Sequence, residues 1–362
     1  MRAHNFSAGP AVLPTTVIEQ LQNALPEYKD TQLGLMEMSH RSKDFQNIHD
    51  SAKQKLRDIL NIPADYHILF LQGGASLQFY MVPLNLLSPT ESGAYINTGT
   101  WSTKAIKEAK RCSHSFSCWD PKDGIFNHVP TTDVETQHAK YLHYTSNNTI
   151  YGTQFHHIPK QDGIPLIADM SSDICSRPID ISKYDLIYAG AQKNLGPSGV
   201  TAVILSPWAV EQSRKIQREG GIPSMLNYAL MVDKDSMFNT PNTFGIFALD
   251  CMLGWLQELG GVEVIEKQNQ QKAQKIYDEI DNSPLWKPHA TSTCRSLMNV
   301  TWRAHEESLE GIFVKEAEAQ GLKGLKGHRS AGGIRASIYN ACSQESVDVL
   351  VSFMKDFALR HG

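Results

Sequence analysis

The chain has 362 residues, a formal net charge of -4, 41% hydrophobic side chains and 20% charged ones. That length fits two or three domains and that balance a sizeable core, which excludes a disordered chain, while the missing basic surplus argues against nucleic-acid binding. Six scattered cysteines (112, 118, 175, 251, 294 and 342) contain no CxxC pair and suggest neither a zinc site nor a disulfide framework. The opening "MRAHNFSAGPAVLP" has no apolar leader and no apolar run reaches membrane-spanning length, so a cytoplasmic protein with reduced thiols is expected.

In chain order, "YHILFLQGG" (66–74) predicts a strand that breaks at Gly73-Gly74. "LQFYMVPLNLL" (77–87) predicts a helix with Pro83 at a kink or an end. "GAYINTG" (93–99) is a strand and "WSTKAIKEAKR" (101–111) a helix. "AKYLHYTSNN" (139–148), "IPLIADMSS" (164–172), "DLIYAGA" (185–191) and "VTAVILS" (200–206) are further strands. Strands alternating with helices imply βαβ units and a mostly parallel sheet. "TFGIFALDCMLGWLQELGG" (243–261) has helical apolar spacing and a Gly-Gly stop; "VEVIEKQNQQKAQKIYDEI" (262–280) is a long polar helix. "SLMNVTWR" (296–303) predicts a strand and "SVDVLVSFMKDFAL" (346–359) an amphipathic helix. The change of texture near residue 260 marks the expected boundary. Residues 16–260 form a large α/β domain, and 261–362, with 1–15, a smaller α/β domain packed against it.

Several strand ends carry residues that invite chemistry, since ligands of open α/β sheets sit at the carboxyl ends of the strands. Lys193 follows the buried strand 185–191 and precedes the turn "GPSG". It either snorkels to water or is an amine held neutral or bound covalently. Asp169 ends another strand, where it caps the next segment or faces a ligand. "QGGAS" offers free backbone N–H groups at a helix start, a phosphate cradle at Ala75-Ser76 or a plain tight turn. It is neither a Walker A loop nor a GxGxxG fingerprint. Trp101 fills core or stacks on an aromatic ring, and Thr149 lies near the same edge. Together these match one need: a lysine for an imine bond, a carboxylate for a pyridinium nitrogen, a stacking ring and a phosphate cup, as pyridoxal phosphate requires.

The segments "NFSAGPAVLP", "MSHRSKDF", "GGASLQF", "NTGTWS", "ADMSSDICSRPID", "YAGAQKNLGPSG", "FNTPNTF" and "GHRSAGGIRASIYNA" resemble the phosphoserine aminotransferase family nearly end to end. The resemblance implies fold type I among pyridoxal-phosphate enzymes, class V, and a homodimer with sites shared across the interface. It implies that Lys193 and Asp169 are catalytic and that Ala75, Ser76, Trp101, Thr149 and Gln192 also contact the cofactor. Asn239 and Thr240 would reach the cofactor phosphate of the other subunit. Arg41 and Arg335 would hold substrate carboxylate; His40, His328 and Arg329 would help with substrate phosphate. The substrates implied are 3-phosphohydroxypyruvate with L-glutamate, and O-phospho-L-serine with 2-oxoglutarate; 4-phosphohydroxythreonine of vitamin B6 synthesis is a further one. No metal is implied. Some members carry arginine where this chain has Ser76, so the phosphate contacts divide differently here. The rivals are another fold-type-I enzyme, such as a serine–glyoxylate type aminotransferase or a cysteine desulfurase, and a cofactor-binding regulator. A desulfurase needs a reactive cysteine, and Cys342 reads as a core residue at a helix start. A regulator would need spare length for DNA binding, which this chain lacks.

Overall fold

A computed structural model describes residues 2–159 and 163–362. A seven-stranded sheet forms its centre, with strand order His67–Leu71, Thr201–Leu205, Leu186–Gly190, Leu166–Asp169, Tyr141–Thr145, Gly93–Ile96, Phe116–Trp119. Thr201–Leu205 runs antiparallel to both neighbours, and the other strands run parallel to one another. The strands are apolar on both faces because both are covered. Leu69, Leu71, Tyr95, Ile167 and Tyr188 face one core cluster; Ile68, Phe70, Ile96, Ala168 and Ile187 face another. This is the period-2 alternation of a strand, with neither side left for water.

A second, three-stranded antiparallel sheet joins Trp286–Pro288, Asn299–Ala304 and Ile334–Ser337. Its cluster contains Trp286, Trp302, Phe313, Phe353 and Phe357, and also Phe6 from the chain's start. The short strand His4–Asn5 pairs with Leu322–Lys323, which ties that start to the C-terminal region. The long helix Val262–Asn282 contributes Ile265 to the first core and Ile276 to this one.

Most expected elements occur, with shifted ends. The helix expected from 77 begins at Gly74, because Gly73 takes φ 91° and turns the strand directly into it. Pro83 sits in the last turn of that helix, which ends at Leu86. The strand expected over 139–148 divides after Thr145, and Asn147–Asn148 pairs instead with Thr153–Gln154. No helix among the described residues is long and apolar enough to cross a membrane. The six cysteines are unpaired, and Cys342 lies buried just before the helix Gln344–His361.

Candidate active site

The parallel strands deliver their carboxyl ends to one cavity of ≈ 300 Å³, within the range of small-ligand sites. Asp169 and Thr145 line it from strand ends, Lys193 from the turn after Leu186–Gly190, Ala75 and Ser76 from the start of the Gly74–Leu86 helix, and Trp101 from the first turn of Thr100–Ala109. Thr149 and Gln192 line it from loops, and His328 and Arg335 from the C-terminal region.

Local backbone explains this convergence. Gly99, φ 142°, starts the helix that carries Trp101; a Cβ there would lie 2.6 Å from the Tyr151 ring and 2.7 Å from Asn148. The helix at Gly74 has no side-chain cap, so the first N–H groups keep no acceptor within the helix and can face the cavity. Trp101 Nε1, Thr145 Oγ1 and Arg335 Nε are buried without a hydrogen-bond partner.

Lys193 Nζ donates to Thr149 Oγ1 at 2.7 Å, and Arg335 Nη1 donates to the Thr149 carbonyl at 3.2 Å. Burial pulls the Lys193 pKa down to about 8, opposed first by the attraction of Asp169, with Arg335 lowering it further. Asp169 is buried, and desolvation raises its pKa against the hydrogen bonding of Ser171 and the charge of Lys193. Ser171 N–H donates to Asp169 Oδ1 at 2.9 Å, so the carboxylate also makes a local cap-like turn. Asp169 thus makes the local turn and also lines the cavity. An amine of lowered pKa and a carboxylate lining one cavity, with free helix N–H groups and an indole nearby, can bind an aldehyde cofactor and move a proton.

Among the described residues, His40, Arg41, Arg329, Asn239 and Thr240 do not line this cavity. Arg41 and Arg329 are exposed. Asn239 lines a separate, smaller pocket with Gln72 and Met225, and the Thr240 carbonyl accepts a hydrogen bond from Gln72 Nε2 at 3.2 Å. His328 Nδ1 lies 2.7 Å from Ser330 Oγ; desolvation and then Arg335, Arg329 and Lys104 lower the His328 pKa. Cys342 is 3% exposed, and burial pushes its thiol up to about 11, which leaves no reactive thiolate for a desulfurase.

Ala8, Gly9, Asn147, Ser171 and Ser172 also line the cavity, although none was among the expected site residues. Ser171-Ser172 follow Asp169 directly, and Ala8-Gly9 lie in "NFSAGP", so their motifs were visible while their placement was not. Asn147 Nδ2 donates to Ser172 Oγ and to Asn299 Oδ1, each at 2.8 Å, joining the cavity wall to the second sheet.

The sequence matches the aminotransferase class-V family over residues 3–350. It is 49% identical to a phosphoserine aminotransferase of Lysinibacillus sphaericus, over 99% of each chain. A phosphoserine aminotransferase structure from Bacillus circulans subsp. alkalophilus superposes with a TM-score of 0.96 at 45% identity, covering 100% of this chain and 99% of that one. A pyridoxal-phosphate-bound phosphoserine aminotransferase from Trichomonas vaginalis gives 0.90 at 35% identity, covering 98% of this chain and all of that one. The chain belongs to the class-V aminotransferases, among the phosphoserine aminotransferases of that family.

Proposed function

We propose that the protein moves an amino group between L-glutamate and 3-phosphohydroxypyruvate, reversibly, giving 2-oxoglutarate and O-phospho-L-serine. The observation that carries this reading is the Lys193 amine, lowered toward neutrality, in one cavity with buried Asp169, Trp101 and the start of the Gly74–Leu86 helix. The residues fit pyridoxal phosphate: Lys193 would bond to it, Asp169 face its ring nitrogen and Trp101 its ring. Ala75 and Ser76 would take the phosphate side, and Thr149, beside the Lys193 amine, and Gln192 further contacts. The unpartnered Trp101 Nε1 and Thr145 Oγ1 support a ligand at this place.

The cofactor supplies the electron sink for the pair left when the Cα–H bond breaks. Lys193 Nζ, once free, would carry the proton from Cα of the amino acid to the C4′ carbon of the cofactor, and from C4′ to Cα of the incoming oxo acid in the reverse half. A lysine near pKa 8 keeps a usable neutral fraction near neutral pH. Arg335 would grip the α-carboxylate through its planar fork. Arg329, next in sequence to His328 at the cavity wall, would supply positive charge for the substrate phosphate, and the neutral His328 ring a hydrogen bond. We further propose a cytoplasmic homodimer in which Asn239, Thr240, His40 and Arg41 act at the partner's site. Their separation from the cavity within one chain motivates this assignment. Residues 16–260 and 261–362 with 1–15 are the proposed domains, and 4-phosphohydroxythreonine a proposed second substrate.

The test is spectroscopic. Protein loaded with pyridoxal phosphate should show a visible band that L-glutamate removes and 3-phosphohydroxypyruvate restores. A band indifferent to both would refute the assignment.

A further inference from the structure

The motif "ADMSSDICSRPID" contains a second acid, Asp173, to which the proposed chemistry gives no work. It lies one turn beyond Asp169: Asp173 N–H and Ile174 N–H both donate to the Met170 carbonyl, at 3.2 and 2.9 Å. Its residue is 5% exposed. Burying a carboxylate is costly unless it is hydrogen-bonded or paired, so its partners need an account.

Those partners lead back to Asp169. Ser146 Oγ is bonded to Asp173 Oδ1 and, at 3.0 Å, to the Asp169 carbonyl. Ser146 N–H donates to the same carbonyl, also at 3.0 Å. Gln154 Nε2 donates to Asp173 Oδ2 at 3.2 Å, and Arg177 Nη2 stands 3.8 Å from that oxygen. Gln154 is itself held, because its Oε1 accepts from Leu297 N–H at 2.9 Å. Arg177 is held by the Phe155 carbonyl at 3.0 Å. The acid is thus built into a framework whose other end is the backbone of Asp169. A helical turn needs no buried acid to form, so packing alone does not explain this framework.

We propose that Asp173 is a positioning residue: its carboxylate fixes the turn that presents Asp169 and adds a second negative charge behind the cavity, with Arg177 as its partial counterweight. This rests on the reading of the cavity as a pyridoxal-phosphate site. The charged groups facing Lys193 are Asp169, Arg335 and Asp173, and Asp173 favours the protonated amine. Burial raises the Asp173 pKa above the ordinary carboxylate value, opposed first by the charge of Arg177, then by the hydrogen bonds of Ser146 and Gln154 and the charge of Lys193.

The two charges make opposite predictions. In cofactor-loaded protein, the pH midpoint of the visible band reports on the Lys193 nitrogen. Asp173→Asn, which keeps the shape and removes the charge, should lower that midpoint by roughly 0.5–1 unit, less than the 1–3 units of a contacting charge. Arg177→Gln should raise it, since Asp173 then acts uncompensated. Asp173→Asn should also lose cofactor faster on dialysis, read as residual absorbance. The midpoint is measured without substrate, so it stands apart from the substrate assignment, which phosphoserine addition tests separately. Midpoints unmoved in both variants, with only a lower melting temperature, would overturn the proposal. If Asp173→Asn does not fold, Ser146→Ala, which cuts the link between the Asp173 carboxylate and the Asp169 carbonyl, decides: faster cofactor loss on dialysis supports the role and unchanged retention ends it.

Discussion

Lys193 is half-buried at the cavity, where its charge is poorly solvated. With a folded pKa near 8 against an ordinary 10.5, the cofactor-free protein bears that poorly solvated charge below pH 8, which destabilises it. Between pH 8 and 10.5 the folded amine is neutral while the unfolded one still holds its proton, so the cost fades and stability rises with pH. Lys193→Met should therefore stabilise the cofactor-free protein at pH 8 more than at pH 10, measured as urea midpoints. Equal gains at both values would deny the shift. The same substitution, or Lys193→Ala, should abolish multiple turnover without unfolding the chain. At the cavity wall, losing a charge-assisted bond in a partly desolvated site costs about 1.5–3 kcal/mol, roughly ten- to a hundredfold in kcat/KM. Arg335→Ala should show that loss on phosphoserine, serine and glutamate alike, because every substrate has an α-carboxylate. Arg329→Ala should lower kcat/KM for phosphoserine far more than for serine; equal losses would return Arg329 to an ordinary exposed side chain.

At the scale of elements, short β-branched runs bounded by glycine were legible because strand ends in this sheet coincide with turn residues. The helix Lys43–Leu60 is absent from the expected elements, although Phe45, Ile48, Ala52, Leu56 and Ile59 are buried at helical spacing and Ser42 caps it. Its mean polarity hides a face that only spacing shows. The start of the Gly74–Leu86 helix was less legible, since glycine ordinarily signals a break and here takes a left-handed φ to open a helix. Buried Lys272 had no sequence signal at all. Its Nζ donates to the carbonyls of Ile338 at 3.1 Å, Tyr339 at 2.8 Å and Cys342 at 3.0 Å, which clamps the loop after Ile334–Ser337 onto the helix Val262–Asn282. Replacing it by methionine takes that donor from the Ile338 and Cys342 carbonyls, at about 1–3 kcal/mol for each one left unsatisfied, while the Tyr339 carbonyl keeps the Cys342 N–H. Lys272→Met should lower the urea midpoint clearly, and an unchanged midpoint would show that the clamp is idle.

Over the whole molecule, the two sheets meet through buried polar contacts. Asn147 on the cavity wall bonds Asn299, whose Nδ2 donates to Ser337 Oγ at 2.9 Å and Tyr339 Oη at 3.1 Å. Tyr339 Oη donates to the carbonyl of Ala8, another cavity residue, at 2.8 Å. Contacts so distant in sequence have no local pattern, which is why the individual motifs could be read and their junction could not. His40-Arg41 and Asn239-Thr240 show the other limit: they do not line the cavity within one chain, and under the proposed homodimer their address would be a second copy. If sites are shared, mixing Lys193→Ala subunits with Thr240→Ala subunits should restore one competent site per mixed dimer, about a quarter of wild-type sites in an equal mixture. Mixtures as inactive as the parents would contradict a shared site.

The central claim is amino transfer to and from a phosphorylated substrate at Lys193. It is tested most directly by adding equal concentrations of O-phospho-L-serine and L-serine separately to cofactor-loaded protein, while following the visible band and the oxo acid released. The expected result is loss of the band with one equivalent of phosphorylated oxo acid per site, and a far slower response to serine. A band untouched by phosphoserine, or serine reacting as fast, would contradict the claim.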